Sequence, residues 1–148
     1  MGESIDLFQY TTNFFGTGKQ EVNTYSPLTL AYIGDGIYEI IIRTIVVTND
    51  GNEQVNKLHK KSSSLVKAET QAKMIRLIME SLTEEEERIY KRGRNAKSFT
   101  SAKNASIGDY RTATGFEALM GYLYMDGRME RLCELVKMGL EKMEEEKP

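Results

Sequence analysis

Cysteine, histidine, proline and tryptophan are almost missing from this sequence, which holds one, one, two and none of them. A lone thiol, Cys133, cannot close an internal disulfide, which fits a reducing compartment. Its expected place is as a small hydrophobe buried on the last helix. A lone imidazole, His59, has no partners with which to build a zinc site or a histidine-activated nucleophile, so both are set aside. So few prolines, and no run of alternating β-branched residues, argue for an all-α fold. The longest apolar stretch is broken by Asp35, Glu39 and Arg43, so nothing is long enough to span a membrane. Residues 1–25 have neither the basic head nor the apolar core of a leader peptide. A soluble, intracellular protein is expected, cytoplasmic in location. A formal net charge of −2 offers no general attraction for nucleic acid, so any basic surface must be local.

What is present points to one globular domain. A chain of 148 residues, 40% hydrophobic and 28% charged, can bury a real core and is too apolar for disorder. Residues 28–42 carry only two charges, Asp35 and Glu39, both acidic, and read as a helix that is hydrophobic almost all round and therefore buried. Ser26 is a suitable N-cap and Pro27 a suitable first helical residue. Residues 116–125 repeat the pattern, with Glu117 as their one charged residue. Burying an unpaired carboxylate costs several kcal/mol unless a cation or hydrogen-bond donors compensate. Two such helices side by side, acids converging, would suit a divalent metal. Gly34, Gly36, Gly115 and Gly121 disfavour helix by about 1 kcal/mol each, which is intelligible if they let two backbones approach.

Around these helices the remaining elements follow in order. Residues 1–24 form an N-terminal arm without clear period, with a short helix around 5–15. The main domain is expected over 25–143, its first helix over 27–47. A second, amphipathic helix should run from about Gln54 to Glu80. Its charges between 57 and 67 are Lys57, Lys60, Lys61 and Lys67, with no acid; they suit either a solvated face or a phosphate-binding one. Thr83 followed by Glu86 is a capping box, which explains the acidic run 84–87 better than a nucleotide pyrophosphohydrolase metal motif does. From 88 to 103 the chain carries Arg88, Lys91, Arg92, Arg94, Lys97 and Lys103 without an acid. Dotted with glycine, serine and asparagine, residues 93–108 are expected as an exposed basic loop that seeks phosphate. A last helix from about Met129 should fray in an acidic tail, 144–148.

Ile33-Gly34-Asp35-Gly36-Ile37-Tyr38-Glu39 resembles the signature helix of the ribonuclease III family, and Phe116-Glu117-Ala118-Leu119-Met120-Gly121 its second acidic helix. Leu58-His59-Lys60, Leu65-Val66 and Gln71-Ala72 resemble the intervening helix. Arg92-Gly93-Arg94-Asn95-Ala96-Lys97, with Thr114-Gly115-Phe116-Glu117, is similar to the short bacterial Mini-ribonuclease III branch. The resemblance covers about residues 24 to 140. It implies an all-α, homodimeric endonuclease domain that hydrolyses double-stranded RNA, with Asp35 and Glu117 as catalytic metal ligands and Mg2+ as the ion. Products with 5′-phosphate and 3′-hydroxyl ends, a short 3′ overhang and a large ribosomal RNA precursor as substrate are implied as well. The twofold contact would fall on the signature helix, at Gly34, Gly36, Ile37 and Ile40. RNA would meet Lys57, Lys60, Lys61, Lys67, Arg92, Arg94, Lys97 and Lys103. Larger relatives append a double-stranded-RNA-binding domain for which this chain is short, so the basic loop is expected to do part of that work. The chain departs from those relatives at Ala31 and Thr114, where they carry two further acids. A catalytically silent RNA-binding protein of ribosome assembly is the alternative.

Overall fold

A computed structural model describes residues 6–97 and 106–147. Among them the protein is all helix, with no strand. The helices are α1 (Leu7–Phe15), α2 (Pro27–Asp50), α3 (Val55–Val66), α4 (Ala68–Ile78), α5 (Glu84–Asn95), α6 (Ile107–Met125) and α7 (Met129–Glu145). The bundle is assembled around α6, which packs against α2, α5, α4 and α7. From Thr112 to Tyr124 every residue of α6 is buried except the half-buried Glu117. A helix enclosed on all sides has no polar face to show.

Local signals in the sequence start several of these helices. Ser26 Oγ accepts from the Thr29 N–H at 3.2 Å, with Pro27 in the first turn of α2. The capping box of α5 closes both ways: Thr83 Oγ1 accepts from the Glu86 N–H at 3.1 Å, and Glu86 Oε1 from the Thr83 N–H at 2.9 Å. Glu86 is wholly buried, yet Arg131 of α7 meets it at 2.8 and 2.9 Å. Desolvation pushes the Glu86 carboxyl up, but the Arg131 hydrogen bonds and the Thr83 N–H outweigh it and hold the group below its usual range.

Where α2 crosses α6, the two backbones touch. A Cβ on Gly34 would lie 1.7 Å from the Glu117 carbonyl oxygen, and one on Gly121 would lie 1.9 Å from that of Leu30. Gly93 and Gly115 do the same for α5 and α6. The crossing of α2 and α6 sets the level of the acids: Gly34 precedes Asp35 and sits on the backbone of Glu117.

Several expectations need correction. α2 is buried along one face only: Leu30, Ala31, Gly34, Ile37, Tyr38, Ile42 and Val46 face inward, while Tyr32 is 83% exposed and Ile40 52%. The stretch expected as one helix from 54 to 80 is broken at Lys67, whose backbone is extended, giving α3 and α4. The basic loop is shorter than 93–108. α5 continues to Asn95 with Gly93 buried against α6, and α6 already begins at Ile107, capped by Ser106. Lys103 lies outside the described residues. Cys133 is exposed, not buried. In the acidic tail, α7 runs through Glu145 and Lys73 stands 3.5 Å from Glu146. The N-terminal arm contains α1, which docks by an edge contact of Phe8 on Tyr124 at 5.6 Å.

Candidate active site

Asp35 and Glu117 meet at the crossing of α2 and α6, their carboxyl groups close enough for Asp35 to raise the pKa of Glu117. The crossing explains the meeting, because Gly34, next to Asp35, lies against the backbone of Glu117. Asp35 is exposed, contrary to the expectation of two buried acids, and Glu117 is half-buried beneath it. Burial first, then the neighbouring Asp35 carboxyl, push Glu117 up to about 8, while Gln71 works against the rise.

The surroundings of Glu117 are polar but closed. Gln71 Nε2 donates to Glu117 Oε2 at 3.2 Å and to the Val66 carbonyl at 2.7 Å. Tyr38 lies beneath, its ring edge-on to Phe116 at 5.2 Å and its hydroxyl donating to the Leu65 carbonyl at 2.8 Å. Burial, then the charges of Glu117 and Glu39, raise the Tyr38 phenol far above its ordinary value, so it stays neutral. Sequence reading missed Gln71 and Tyr38 as parts of the site. The available signal was Gln71 itself, a polar residue on the α4 stripe otherwise made by Ala68, Ala72, Ile75 and Ile78.

Other acids are engaged elsewhere. Glu39, expected to stack with Asp35 without a base, is paired by Arg43 one turn on, at 3.0 Å. Within the run 84–87, Glu85 accepts from the Tyr122 hydroxyl, Glu86 is the cap, and Glu87 pairs with Lys91 at 3.2 Å. That leaves no metal motif for nucleotide pyrophosphate chemistry. No group of three or more His, Cys, Asp or Glu side chains capable of holding a metal occurs among the described residues. A pair does suffice for magnesium, which takes oxygen ligands, often only one or two carboxylates, and keeps water for the rest. The donor set is all oxygen, and a cation would relieve the repulsion between the two carboxyl groups. The residues therefore fit such an ion.

The basic residues are not all brought to this point. Lys67 follows Val66, whose carbonyl shares Gln71 with Glu117, so it stands at the site end of α3. Lys57 and Lys61 stand at the other end, about 9 to 15 Å away by helical rise. There Glu53 and Asp50 pair with them. Lys60 is exposed and has no ion pair among the described residues. Arg92 and Arg94 flank Gly93, whose Cβ would lie 2.7 Å from that of Ala118, so the end of α5 is level with Glu117. Arg94 stacks over Tyr90 at 5.6 Å, and Arg92 lines a groove with Pro27 at the start of α2. Lys97 is exposed just beyond. Ala31 and Thr114, the positions of the two absent acids, are both buried. Of the expected dimer-contact residues, Gly34 is consumed inside the chain and Ile37 is buried. Gly36 and Ile40 are exposed.

Comparison with known proteins finds relatives over most of the chain. Residues 28–128 match the Ribonuclease III domain. Mini-ribonuclease 3 of Clostridium tetani is 54% identical over 86% of this chain and 84% of its own length. That of Streptococcus pneumoniae is 46% identical over 84% of this chain and 98% of its own. A crystal structure of a Fusobacterium nucleatum protein superposes with a TM-score of 0.74 at 27% identity, covering 84% of this chain and 99% of that one.

Proposed function

The chain belongs to the ribonuclease III family, in its short Mini-ribonuclease 3 branch, and on that premise we propose that it is a magnesium-dependent endoribonuclease that hydrolyses double-stranded RNA. The observation that carries the reading is the Asp35–Glu117 pair, which RNA binding alone would not require. When bound, magnesium supplies Lewis acidity and neutralises the charge that builds on the phosphate oxygens. Glu117, as the carboxylate, would hold the ion together with Asp35. Asp35, at the exposed edge, also orients the attacking water. The water oxygen bonds to phosphorus as the bond to the 3′-oxygen breaks; the water loses a proton to solvent and the departing 3′-oxygen takes one from solvent, leaving 5′-phosphate and 3′-hydroxyl ends.

Duplex RNA offers phosphates, 2′-hydroxyls and groove shape rather than readable base edges. Lys67, Arg92, Arg94 and Lys97 stand near the carboxylates to receive them, with Lys57, Lys60 and Lys61 further along α3. A homodimer places one such centre against each strand. Tyr32, Gly36 and Ile40, spaced four apart on the exposed face of α2, form the twofold contact. The substrate is a precursor of the large ribosomal RNA and the location the cytoplasm. No described helix is long and apolar enough to cross a membrane.

The test is incubation with duplex RNA and magnesium, then with EDTA. Cuts on both strands with a short 3′ overhang, abolished by EDTA, are expected. Binding without cleavage in magnesium would leave a silent assembly protein instead. Light scattering should give a dimer that Gly36→Arg splits; a monomer that still cuts both strands refutes the twofold model.

A further inference from the structure

The break between α3 and α4 leaves carbonyls without helix partners, and three side chains meet them. Thr70 Oγ1 donates to the Ser64 carbonyl at 2.6 Å, Tyr38 to that of Leu65 at 2.8 Å, and Gln71 Nε2 to that of Val66 at 2.7 Å. Of the three, Gln71 also reaches Glu117, at 3.2 Å. Its own Oε1 is buried and has no hydrogen-bond partner among the described residues. Turning the amide over cannot cure this, because the Val66 carbonyl needs a donor opposite it. A buried acceptor left unmet is a cost that an apolar side chain of similar size would avoid. Packing therefore does not explain glutamine here, whereas the contact with the carboxylate does.

We propose that Gln71 is a positioning residue for the metal-ligand carboxylate of Glu117, fixing its orientation and tying it to the end of α3 that carries Lys67. This rests on Glu117 being a metal ligand. The Gln71 contact sets the plane of the carboxylate. Without the amide, Glu117 turns more freely and the ion is held less well, while the RNA-facing bases are untouched. Hydrogen bonds of this supporting kind are worth about 10- to 100-fold in metal affinity.

Gln71→Met keeps the volume and removes both donors. Mn2+ binding to the RNA-free protein, read from the paramagnetic resonance of the free ion, should weaken by about 10- to 100-fold. Cleavage should show lower kcat at low magnesium, recovery at high magnesium, and an unchanged KM for duplex RNA. Thr70→Val removes a neighbouring cap without touching Glu117 and should leave Mn2+ affinity unchanged. Wild-type Mn2+ affinity in folded Gln71→Met overturns the proposal. So does an equal loss in Thr70→Val, which would assign the effect to the α3–α4 junction. If Gln71→Met fails to fold, Gln71→Leu takes its place; failure of both makes the residue structural and overturns the proposal too. Glu117→Gln is measured alongside. Full Mn2+ affinity in that variant refutes the reading of the site, whereas a loss there with none in Gln71→Met refutes the positioning role alone.

Discussion

Gly34→Ala should cripple this protein while Gly36→Ala, two residues on, should leave the packing of its own chain unharmed. At Gly34 the added Cβ would stand 1.7 Å from the Glu117 carbonyl oxygen and 2.7 Å from the Gly121 nitrogen. An ordinary carbon–oxygen contact is about 3.3 Å, so α2 and α6 must part by roughly 1.5 Å at their crossing. A gap of even 0.5–1 Å forfeits about a quarter to a half of the dispersion energy across a contact. The contacts at risk include those of Leu30, Tyr38 and Phe116, all in the core. Overpacking against side chains costs about 1–3 kcal/mol, and here the obstacle is backbone that cannot rotate away, so at least about 3 kcal/mol is expected. With an unfolding entropy of about 2.1 cal/mol/K per residue, that is a fall in Tm of about 10 °C. At Gly36 a Cβ meets nothing within 4 Å. Within the single chain alanine there should gain the helix-propensity difference of about 0.5–1 kcal/mol, or about 2–3 °C, before any effect at the proposed twofold contact. Thermal unfolding followed by circular dichroism, at one protein concentration with the oligomer checked by light scattering, separates them. Equal melting temperatures for the two variants, or a wild-type value for Gly34→Ala, would refute the reasoning.

Asp35→Asn should abolish RNA hydrolysis and leave fold and RNA binding nearly intact. Glu117→Gln should do the same, with losses far from additive because both act at one centre; a variant cutting at a comparable rate removes that residue from the site. The metal-free protein should lose stability as pH rises from about 4.5 to 8. The folded Glu117 keeps a proton that the unfolded chain has already released, so its contribution is full below 4.5 and gone above 8. Denaturant titration across that range checks it, and an unchanged slope in Glu117→Gln would refute it. Replacing Arg92, Arg94 and Lys97 together with alanine should weaken RNA binding and flatten log affinity against log salt by about 0.7–0.9 for each phosphate that is no longer neutralised. An unchanged slope would move the RNA path off α5. Ala31→Glu with Thr114→Asp should lower the magnesium concentration for half-maximal cleavage, since the added acids hold a divalent ion more tightly. A folded double variant, by circular dichroism, with unchanged magnesium dependence would refute that.

Periodicity, caps and isolated charges are local, and they determined much by themselves. Ser26-Pro27 and Thr83 with Glu86 started helices where the structure starts them, because a cap is satisfied within four residues of chain. Asp35 and Glu117 stood out because each is an acid set in an apolar helix, and the scarcity of cysteine and histidine left carboxylates as the available metal ligands. The rest depended on neighbours distant in sequence. Gly34 and Gly36 look alike in the chain, yet one meets α6 and the other open space. The apolar run of α2 could not say which of its faces would be covered. Gly93 reads as a loop residue until α6 comes close enough to need its missing side chain. Lys67 breaks a continuous helical pattern because Thr70, Tyr38 and Gln71 supply donors that free α3 from continuing. Arg43 neutralises Glu39 through local spacing, but only the fold decided that Glu117 would have Gln71 and Asp35 instead of a base. Tertiary contacts made those choices because burial, close approach and shared hydrogen bonds belong to pairs of elements.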